Sequence, residues 1–488
     1  MFNIQRSTSN VRFIPRGLLL IIFSLLFSPA GAQLTLERAI RLAQDSTIAV
    51  FESRHEQEYR TQHYDEFMAL RKPQLNLRVA PNYYKYIADL SSDYVDVDNY
   101  HNLSAAASVT LTQKMLDWGG EAYVGTRAIW SEYFSSDKLY ARRFVAAPLM
   151  LGYRQTLLGY NPYRWEKAIE DQRLKAAQQQ HDYDMNQIAE ETVRRFFKLV
   201  CAKGELEMFQ RNAQVTDTLY AIAREKASIA MVTVAELRSL ELDRANAANE
   251  LMMALTAEEV ARVSLASYLM LSNDSVGIPS FNYESAILSL DAKPVGMSVD
   301  EAIGRAMENS PALQHQLTLV TESRQQEQKA RKEKGVNVAL DVNVGMQQMD
   351  ENLGTAYRNQ RLYAIGAVTF SVPLMDHGAA KKRHAAAQAL VKREESALDE
   401  ARRALREEVT TTLQDVSTYY LLLERTHKAV TDADEVYEMI ADNYANGLCD
   451  MNTYALAEKR RNSAYQHYLR SLEKYWTTYY HLKTLIGS

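Results

Sequence analysis

The sequence predicts a mainly helical protein with a smaller β part, built from two similar halves. Three observations predict this fold class: a duplication of the chain, regions in which polar and apolar residues alternate, and long stretches with apolar residues at three- and four-residue spacing. The chain has 488 residues, 24% of them charged, and a net charge of −5. This balance gives no indication of a nucleic-acid partner.

Matching motifs at regular offsets carry the duplication. Residues 35–40 (TLERAI) return at 298–303 (SVDEAI), an offset of 263, and residues 156–161 align with 373–378, an offset of 217. Further matches at an offset of 219 are Leu237 with Leu456 and Ala245 with Ala464. A period of this size is typical of a duplicated half-domain and not of a solenoid repeat.

The duplication and the N-terminus together predict the organisation of the chain. Arg12 and Arg16 precede an apolar run at 17–27, followed by small residues up to Ala32. This pattern favours a cleaved signal peptide over a membrane anchor, because the run is too short to span a bilayer comfortably. No cysteine lies near the cleavage site, which argues against a lipoprotein anchor. The predicted parts are a signal peptide (1–32), a first repeat (33–271), a connector (272–296) and a second repeat (297–488).

Each repeat is predicted to start with a helix, which in the first half covers 34–72 with a break near Ser46–Thr47, and to continue with strands. The residues at 336–346 alternate between apolar and polar or small, as do those at 75–81, and partner strands are predicted at 144–157 and 362–374. The strand regions thus cover about 74–157 and about 336–374.

The alternation of apolar and polar residues in these strands is typical of an outer-membrane barrel strand and also of a half-buried strand in a soluble sheet. The helical surroundings favour the barrel. The mature chain has no further run of 18 apolar residues, so any membrane-spanning part is predicted to be β-strand.

The first half contains additional residues between its strands. The offset falls from 263 to 217, so about 46 residues (263 minus 217) have no counterpart. They include two strand-like runs, 103–115 and 121–132, with a tight-turn signal at 117–120. The segment 115–119 resembles 374–378, but aligning the two would make the following helical arms unequal by about 40 residues. Whether this extra hairpin joins the barrel stays open.

A long antiparallel helical hairpin is predicted in each half, at about 160–271 and about 378–485. The outgoing arms, of 68 and 69 residues, would each be about 100 Å long at 1.5 Å per residue. Cys201 and Cys449 would lie too far apart along such hairpins for a disulfide. A coiled-coil seam is indicated by apolar residues at 398, 401, 405, 409, 413, 416, 420 and 423, and on the return arm at 465, 468, 472, 475, 479 and 482.

These features together resemble the TolC-type outer-membrane efflux proteins, in a form similar to a subgroup common in Bacteroidetes. The motifs that carry the resemblance follow one another over nearly the whole mature chain: 34–40, 158–165, 297–303 with its continuation to 309–311, 372–378, and 444–448. The resemblance implies a homotrimer, in which every protomer contributes strands to one shared antiparallel β-barrel in outer-membrane lipid and helical hairpins to one periplasmic α-barrel. Four strands cannot close a barrel alone, and an open sheet edge cannot lie in lipid, which agrees with an oligomer. A trimer would have 12 strands, or 18 if the extra hairpin joins.

The resemblance also implies a function and partners. It implies a passive export duct of a tripartite efflux or type I secretion system, which works with a periplasmic adaptor (a membrane fusion protein) and an inner-membrane pump. The alternative is a structural or adhesive periplasmic coiled-coil protein without a channel, which would be water-soluble. The substrate, the adaptor and the pump class, proton-driven or ABC, are not determined by the sequence.

Two groups of site residues follow from the resemblance. The hairpin turns are the predicted adaptor-docking tips: Ser228, Ile229, Ala230 and Met231 in the first half, Asn446, Gly447 and Leu448 in the second. The first turn lacks the glycine of the family, and Gly447 can also be read as a plain helix C-cap. The candidate periplasmic gate is Tyr444, Asp450 and Glu236, although a solvated helix-end charge is the favoured interpretation of each carboxylate. Cys449 stands where a basic residue is frequent in the family.

No catalytic, cofactor-binding or metal-binding residue is predicted. The 10 histidines are scattered, without His-x-x-x-His spacing, and the two cysteines form no Cys-x-x-Cys motif. The chain has no glycine-rich phosphate loop. His55 and His63 are interpreted as surface histidines, and Asp117 and Asp376, beside glycines, as turn or cap residues.

Overall fold

The computed structural model describes residues 34–85, 100–115, 119–135, 138–229, 231–271, 296–446 and 448–487. The predicted signal peptide and nearly all of the predicted connector lie outside these residues. The elements in chain order are α1 (Leu36–Ser46), α2 (Ile48–Leu70), β1 (Gln74–Lys85), β2 (Tyr100–Met115), β3 (Gly120–Ser135), β4 (Lys138–Leu158), α3 (Pro162–Ser228), α4 (Val234–Tyr268), α5 (Val299–Asn309), α6 (Pro311–Glu333), β5 (Asn337–Asp350), α7 (Leu353–Arg358), β6 (Arg361–Ser371), α8 (Ala379–Ala445) and α9 (Met451–Ile486).

The predicted duplication is confirmed by the bounds of the helices. Helices α1 and α5 have 11 residues each and α2 and α6 have 23 each, and both pairs begin at an offset of 263 (299 minus 36; 311 minus 48). The outgoing arms α3 and α8 have 67 residues each and begin at an offset of 217 (379 minus 162). The return arms α4 and α9 also begin at an offset of 217 (451 minus 234). The offset of 219 that was predicted for the return arms is therefore wrong. The two turns between the arms are equally long, and neither contains an insertion.

The repeated motif at 35–40 and 298–303 starts a helix in each half. Thr35 Oγ1 accepts a hydrogen bond from Arg38 N at 3.3 Å, and Ser298 Oγ accepts one from Glu301 N at 3.2 Å. These hydroxyl groups satisfy backbone N–H groups that have no partner inside the helix. The predicted break near Ser46–Thr47 lies at Thr47, between α1 and α2.

The six strands form one antiparallel sheet in the order β1-β2-β3-β4-β5-β6. This order corrects the prediction that the strand at 144–157 is the partner of the strand at 75–81. Strand β1 pairs with β2, while β4 pairs with β3 and with β5 of the second half. Strands that follow one another along the chain pair preferentially because short loops cost less entropy to close. The extra hairpin therefore lies inside the sheet as β2 and β3.

The polar segment between β5 and β6 contains the short helix α7, which the sequence did not predict. Asn352 caps this helix, with Gly354 N donating to Asn352 Oδ1 at 2.9 Å. Ala356 of α7 is fully buried. The capping side chain and one buried alanine stabilise a single helical turn where the alternation of the strands stops.

The described residues form two compact units, and each unit combines segments of both repeats. The first comprises Met1–Phe51, Asn186–Gly296 and Thr412–Leu482, and its described residues are helical and turn segments. The second comprises Glu52–Met185, Met297–Thr411 and Lys483–Ser488 and contains the sheet.

The predicted coiled-coil seam forms the core of the helical arms. On α9, the large side chains at three- and four-residue spacing are buried: Tyr465, Tyr468, Leu472, Tyr475 and Leu482. On α8 the buried seam residues are Leu398, Val409, Leu413, Val416 and Leu423. Inside the first unit, Phe197 of α3 stacks on Trp476 of α9 with 5.9 Å between ring centroids. Aromatic residues in this seam bury large apolar areas, which is the main stabilising contribution to such hairpins.

Both cysteines, Cys201 and Cys449, are free thiols, as predicted. Cys201 is partly buried, and this burial raises the pKa of its thiol. None of the helices in the described part of the chain is long and apolar enough to cross a bilayer.

Candidate functional site at the two helical turns

The first predicted docking turn joins α3 to α4 and exposes two apolar side chains. Helix α3 ends at Ser228, and the chain then turns back through a hydrogen bond from Met231 N to Lys226 O at 3.0 Å. Ile229 is 65% exposed and Met231 is 71% exposed. Ala230 lies outside the described residues. Two apolar side chains therefore lie at the surface of this turn.

The second predicted docking turn joins α8 to α9 and closes in the same way. Leu448 N donates to Asn443 O at 2.8 Å, at positions 217 residues after the corresponding bond of the first turn. Asn446 Nδ2 donates to Asp442 O at 2.9 Å, and the Leu448 side chain is 75% exposed. Gly447 lies outside the described residues. A bond that spans six residues at a helix end is the main bond of a Schellman motif. The first turn therefore has the same backbone closure although it lacks the glycine.

The two candidate gate carboxylates cap the return helices. Glu236 accepts from Thr233 N at 2.8 Å, while Thr233 Oγ1 accepts from Glu236 N at 3.2 Å, which completes a capping box at the start of α4. Asp450 Oδ1 accepts from Thr453 N at 2.9 Å at the start of α9. The backbone hydrogen bond from Thr233 lowers the pKa of Glu236, and the side-chain hydrogen bond from Thr453 lowers the pKa of Asp450. Within one protomer, both groups are therefore ionised helix-end charges.

Tyr444, the aromatic member of the candidate gate, packs into a cluster close to the turns. Its ring stacks on Tyr454 with 5.1 Å between centroids, and the Tyr454 and Tyr437 hydroxyl groups share a hydrogen bond of 2.6 Å. The Tyr444 hydroxyl is buried and has no hydrogen-bond partner within the described ranges. The cluster is completed by three buried residues of the first hairpin, Leu219, Ala223 and Leu240. Tyr444 thus connects the second hairpin to the first.

Two charged residues in the seam of α9 were not predicted from the sequence. Glu458 is 8% exposed, and its burial raises its pKa to about 7. Arg461 Nε lies 2.5 Å from Asp434 Oδ1, and its guanidinium lies 4.6 Å from the centroid of the Tyr437 ring. Continuing the three- and four-residue spacing back from Tyr465 would have placed both charged residues in the seam.

The sheet-containing unit has a polar cavity of about 580 Å³ between α2, α3 and α6. In it, Ser53 Oγ donates to Asp184 Oδ2 at 2.9 Å and lies 2.9 Å from His181 Nδ1. A serine nucleophile must donate its proton to the histidine, and here the carboxylate receives it. The three residues therefore form a structural network and not an activated nucleophile.

The other residues interpreted from the sequence are surface histidines and turn or cap aspartates. Those that the structure describes have these roles. The side chains of His55 and His63 are 75% and 47% exposed. Asp376 caps α8 by accepting from Gly378 N and Ala380 N, both at 2.9 Å. Asp117 lies outside the described residues. In the part of the chain that the structure describes, no cluster of His, Cys, Asp and Glu could hold a metal ion.

Comparisons with known proteins agree with this architecture. A family model described as outer membrane efflux protein matches residues 302–488. A comparison with curated protein sequences found no match.

Several solved structures are similar over nearly the whole chain, and three of them are outer-membrane proteins from different bacteria. VceC, an outer membrane protein from Vibrio cholerae, has a TM-score of 0.65 at 12% identity, over 93% of this chain and 96% of that chain. The CmeC outer membrane channel from Campylobacter jejuni has a TM-score of 0.63 at 13% identity, over 100% of this chain and 94% of that chain. The open state of the MtrE outer membrane channel from Neisseria gonorrhoeae has a TM-score of 0.60 at 14% identity, over 93% of this chain and 89% of that chain.

The fold is therefore that of outer-membrane channels with long helical hairpins and an antiparallel sheet. The predicted resemblance to the TolC-type outer-membrane efflux proteins is confirmed, and the second half of the chain matches the outer membrane efflux protein family. The predicted fold class, mainly helical with duplicated halves, is also confirmed.

Proposed function

We propose that this protein is the outer-membrane export duct of a tripartite efflux or type I secretion system. It conducts substrates passively from the periplasm, or from a pump, to the exterior, and it catalyses no reaction itself. Three copies share one barrel in the outer membrane and extend their helical hairpins into the periplasm. A periplasmic adaptor docks at the turns around Ile229 and Leu448, and an inner-membrane pump supplies the energy.

The observation that carries this proposal is an apolar face that continues across all six strands. Residues directly opposite each other in an antiparallel sheet point to the same side. One row of such residues contains an apolar side chain from every strand: Leu75, Leu111, Val124, Leu151, Val344 and Ala364. In the single protomer Leu75 is 70% exposed. An apolar, exposed sheet face with polar residues on its other side has the pattern of a sheet between lipid and a water-filled lumen.

The end strands of the sheet support an assembly of several copies. Among the strands that the structure describes, β1 and β6 each have one neighbour in the sheet. In lipid an unpaired strand edge would leave backbone N–H and C=O groups without partners, and closure of the sheet removes both edges. Six strands are fewer than the roughly eight of the smallest closed barrels, so further copies have to supply the rest of the wall.

Fractionation of cells that express the full-length chain tests this proposal. The membranes are separated, the outer membrane is extracted with detergent, and the size of the extracted protein is measured. The proposal expects an outer-membrane trimer. A water-soluble periplasmic monomer would overturn the duct and favour the structural or adhesive coiled-coil protein instead.

A further inference from the structure

We infer that the hairpin β2–β3 is part of the membrane wall, so that three copies close a barrel of eighteen strands, three times six. This hairpin lies between the strands that both halves share. Without it, each chain would supply four strands and the barrel would have twelve. The wider lumen would admit large solutes that a twelve-stranded barrel excludes. The inference rests on the proposed function for the trimer and for its location in the outer membrane.

The hairpin is paired along both of its outer sides. Strand β2 pairs with β1 from Gln74–Thr112 to Lys85–His101. Strand β3 pairs with β4 from Gly120–Gln155 to Ser135–Lys138. A plug or a surface flap would leave at least one of these sides free. The register instead makes β2 and β3 interior strands of the sheet.

The apolar face of the hairpin also lies on the same side of the sheet as the apolar face of the neighbouring strands. Leu111 and Val124 continue the apolar row that begins at Leu75 and ends at Ala364. Farther from the turn of the hairpin, Ala107 and Ala128 form another pair of directly opposed residues on this face. A register slip by one residue would move the polar side chains of β2 to the apolar side. The pairings of β2 with β1 and with β3 contain no such slip, which indicates that the hairpin is built for the same environment as its neighbours.

A side chain of the hairpin reaches across β4 into the second half of the chain. Tyr123 of β3 lies opposite Gly152 of β4, and Asn343 Nδ2 of β5 donates to the Tyr123 hydroxyl at 3.0 Å. A Cβ atom at position 152 would lie 2.0 Å from the Tyr123 ring, so the ring occupies the space above the glycine. This packing fixes the hairpin to the sheet by more than its backbone hydrogen bonds.

The length and number of the strands allow closure. Both hairpin strands have 16 residues, which exceeds the roughly 9–11 that a tilted strand needs to cross a bilayer. An even number of strands makes β1 and β6 antiparallel to each other. The free side of β6 in one copy can therefore pair with β1 of the next copy as an ordinary antiparallel neighbour, and a ring of copies has no edge.

The number of strands determines the width of the lumen. With strands about 4.8 Å apart and tilted by about 40°, eighteen strands give a backbone diameter of about 36 Å and twelve give about 24 Å. The diameter increases by a factor of about 1.5 because it grows linearly with the number of strands. Closed barrels of roughly this strand number keep a water-filled channel.

Cysteine labelling of the trimer in proteoliposomes tests the inference without removing any strand. In a background with Cys201→Ser and Cys449→Ser, single cysteines are placed by Ala107→Cys on the apolar face and Ser108→Cys on the polar face of β2. A charged maleimide should label Ser108→Cys and leave Ala107→Cys protected by lipid. Val79→Cys and Ala80→Cys on β1 are the matched controls, because β1 lies in the wall for either strand number.

The control pair separates the two ways in which the test can fail. If the β1 pair alternates and both β2 cysteines react equally, the hairpin lies outside the membrane, and the inference is overturned while the proposed function stands. Equal labelling at all four positions would contradict the membrane-spanning sheet of the proposed function itself.

Polymer exclusion measures the width directly. The full chain and a variant lacking residues 100–135 are inserted into planar bilayers. Neutral polymers of increasing size are added at the end of the channel that the sheet forms, and the current is recorded. In the variant, β1 and β4 remain antiparallel with Leu75 and Leu151 on the same face, so they can pair. The full chain should admit polymers of about 1.5-fold larger diameter. Equal cut-offs would overturn the inference, and the labelling decides it if the shortened variant does not fold.

Discussion

Arg154 of β4 and Asp341 of β5 form an ion pair across the junction of the two halves, with Arg154 Nε 3.1 Å from Asp341 Oδ2. The pair belongs to a row of directly opposed residues whose charges alternate: Lys114, Glu121, Arg154 and Asp341. Opposite charges in facing positions stabilise neighbouring strands, and like charges destabilise them. The row begins in the extra hairpin. The charged side chains of the hairpin are therefore complementary in sign to those of the strands that both halves share.

Replacing Asp341 by lysine should destabilise the sheet more than replacing it by asparagine. Both variants lose the attraction to Arg154, but the lysine adds a repulsion. Since the pair is partly exposed, we expect a difference of about 0.5–1 kcal/mol, which decreases in high salt. Thermal unfolding in detergent, followed by circular dichroism at low and high salt, measures it. Identical midpoints for Asp341→Lys and Asp341→Asn at low salt would contradict the role of the charge row.

Removal of the capping box should loosen the first docking turn. Thr233→Ala removes the hydroxyl that accepts from Glu236 N, and the expected loss is about 1 kcal/mol of local stability. Hydrogen exchange in the first turn of α4 should then become roughly fivefold faster. Thr256→Ala is the control, because the Thr256 hydroxyl donates to Met252 O inside the same helix. Equal exchange in wild type and Thr233→Ala would show that the cap does not determine the stability of the turn.

Glu458 should make the stability of the helical unit depend on pH. Burial raises the folded-state pKa of Glu458 from 4.5 to about 7, so the folded protein favours the neutral carboxyl. Its contribution is fully present below pH 4.5 and is lost as the pH rises through about 7. One pKa unit corresponds to about 1.4 kcal/mol, which gives a loss on the order of 3 kcal/mol.

Thermal unfolding at pH 5 and pH 8 measures this effect. Glu458→Gln should be less sensitive to pH than wild type and more stable than wild type at pH 8. Glu435→Gln, at an exposed position of α8, is the matched control and should retain the pH dependence. A wild-type midpoint that falls no more than that of Glu458→Gln between the two pH values would refute the assignment.

A charge at the first turn should prevent docking of the adaptor. Ile229 is highly exposed in the single protomer, and Ile229→Asp would place a carboxylate in an apolar contact. Desolvation of that charge should weaken the complex by at least about tenfold, while the trimer itself stays intact. Crosslinking to the adaptor in cells and an export assay give the two readouts. Ile229→Leu keeps the apolar surface and should behave as wild type; normal crosslinking of Ile229→Asp would move the docking site away from this turn.

The polar face of the sheet should make the channel favour anions. Among the described residues of the strands, this face has six basic and two acidic side chains: Arg78, Lys114, Arg127, Arg143, Arg154 and Arg361 against Glu121 and Asp341. A positive wall concentrates anions in the lumen. Arg127→Gln should lower the anion preference, measured as the reversal potential in a salt gradient. Arg142→Gln, on the opposite face beside Glu132, should leave it unchanged, and an unchanged potential for Arg127→Gln would exclude a lumen position of this residue.

Local signals in the sequence predicted most of the elements. The helix starts at Thr35 and Ser298 follow from hydroxyl caps, and the alternation at 336–346 follows from the period of a strand. Even the extra strands of the first half were visible as 103–115 and 121–132. The positions of the two helical turns, at Ile229 and Leu448, were also predicted correctly, while their role in docking stays a prediction.

Other features could not be read from local patterns. Several strands have the same alternation, so the pattern does not distinguish the pairing of β1 with β2 from its pairing with β4. The interpretation of Tyr444 as a gate residue did not anticipate its stacking on Tyr454, because the cluster combines both hairpins. Glu458 was overlooked because a charged residue normally marks an exposed position of a helix.

The sequence by itself thus determined most of the segments that become helices and strands, and that the chain is duplicated. These properties depend on residues within a few positions of one another, through caps, periodicity and turn residues. Only the tertiary structure decided that the extra hairpin lies inside the sheet, that Arg154 faces Asp341, and that Glu458 is buried. Those relationships depend on packing and hydrogen bonding between residues that are distant in sequence, and their free energies are determined by the competition among all possible partners.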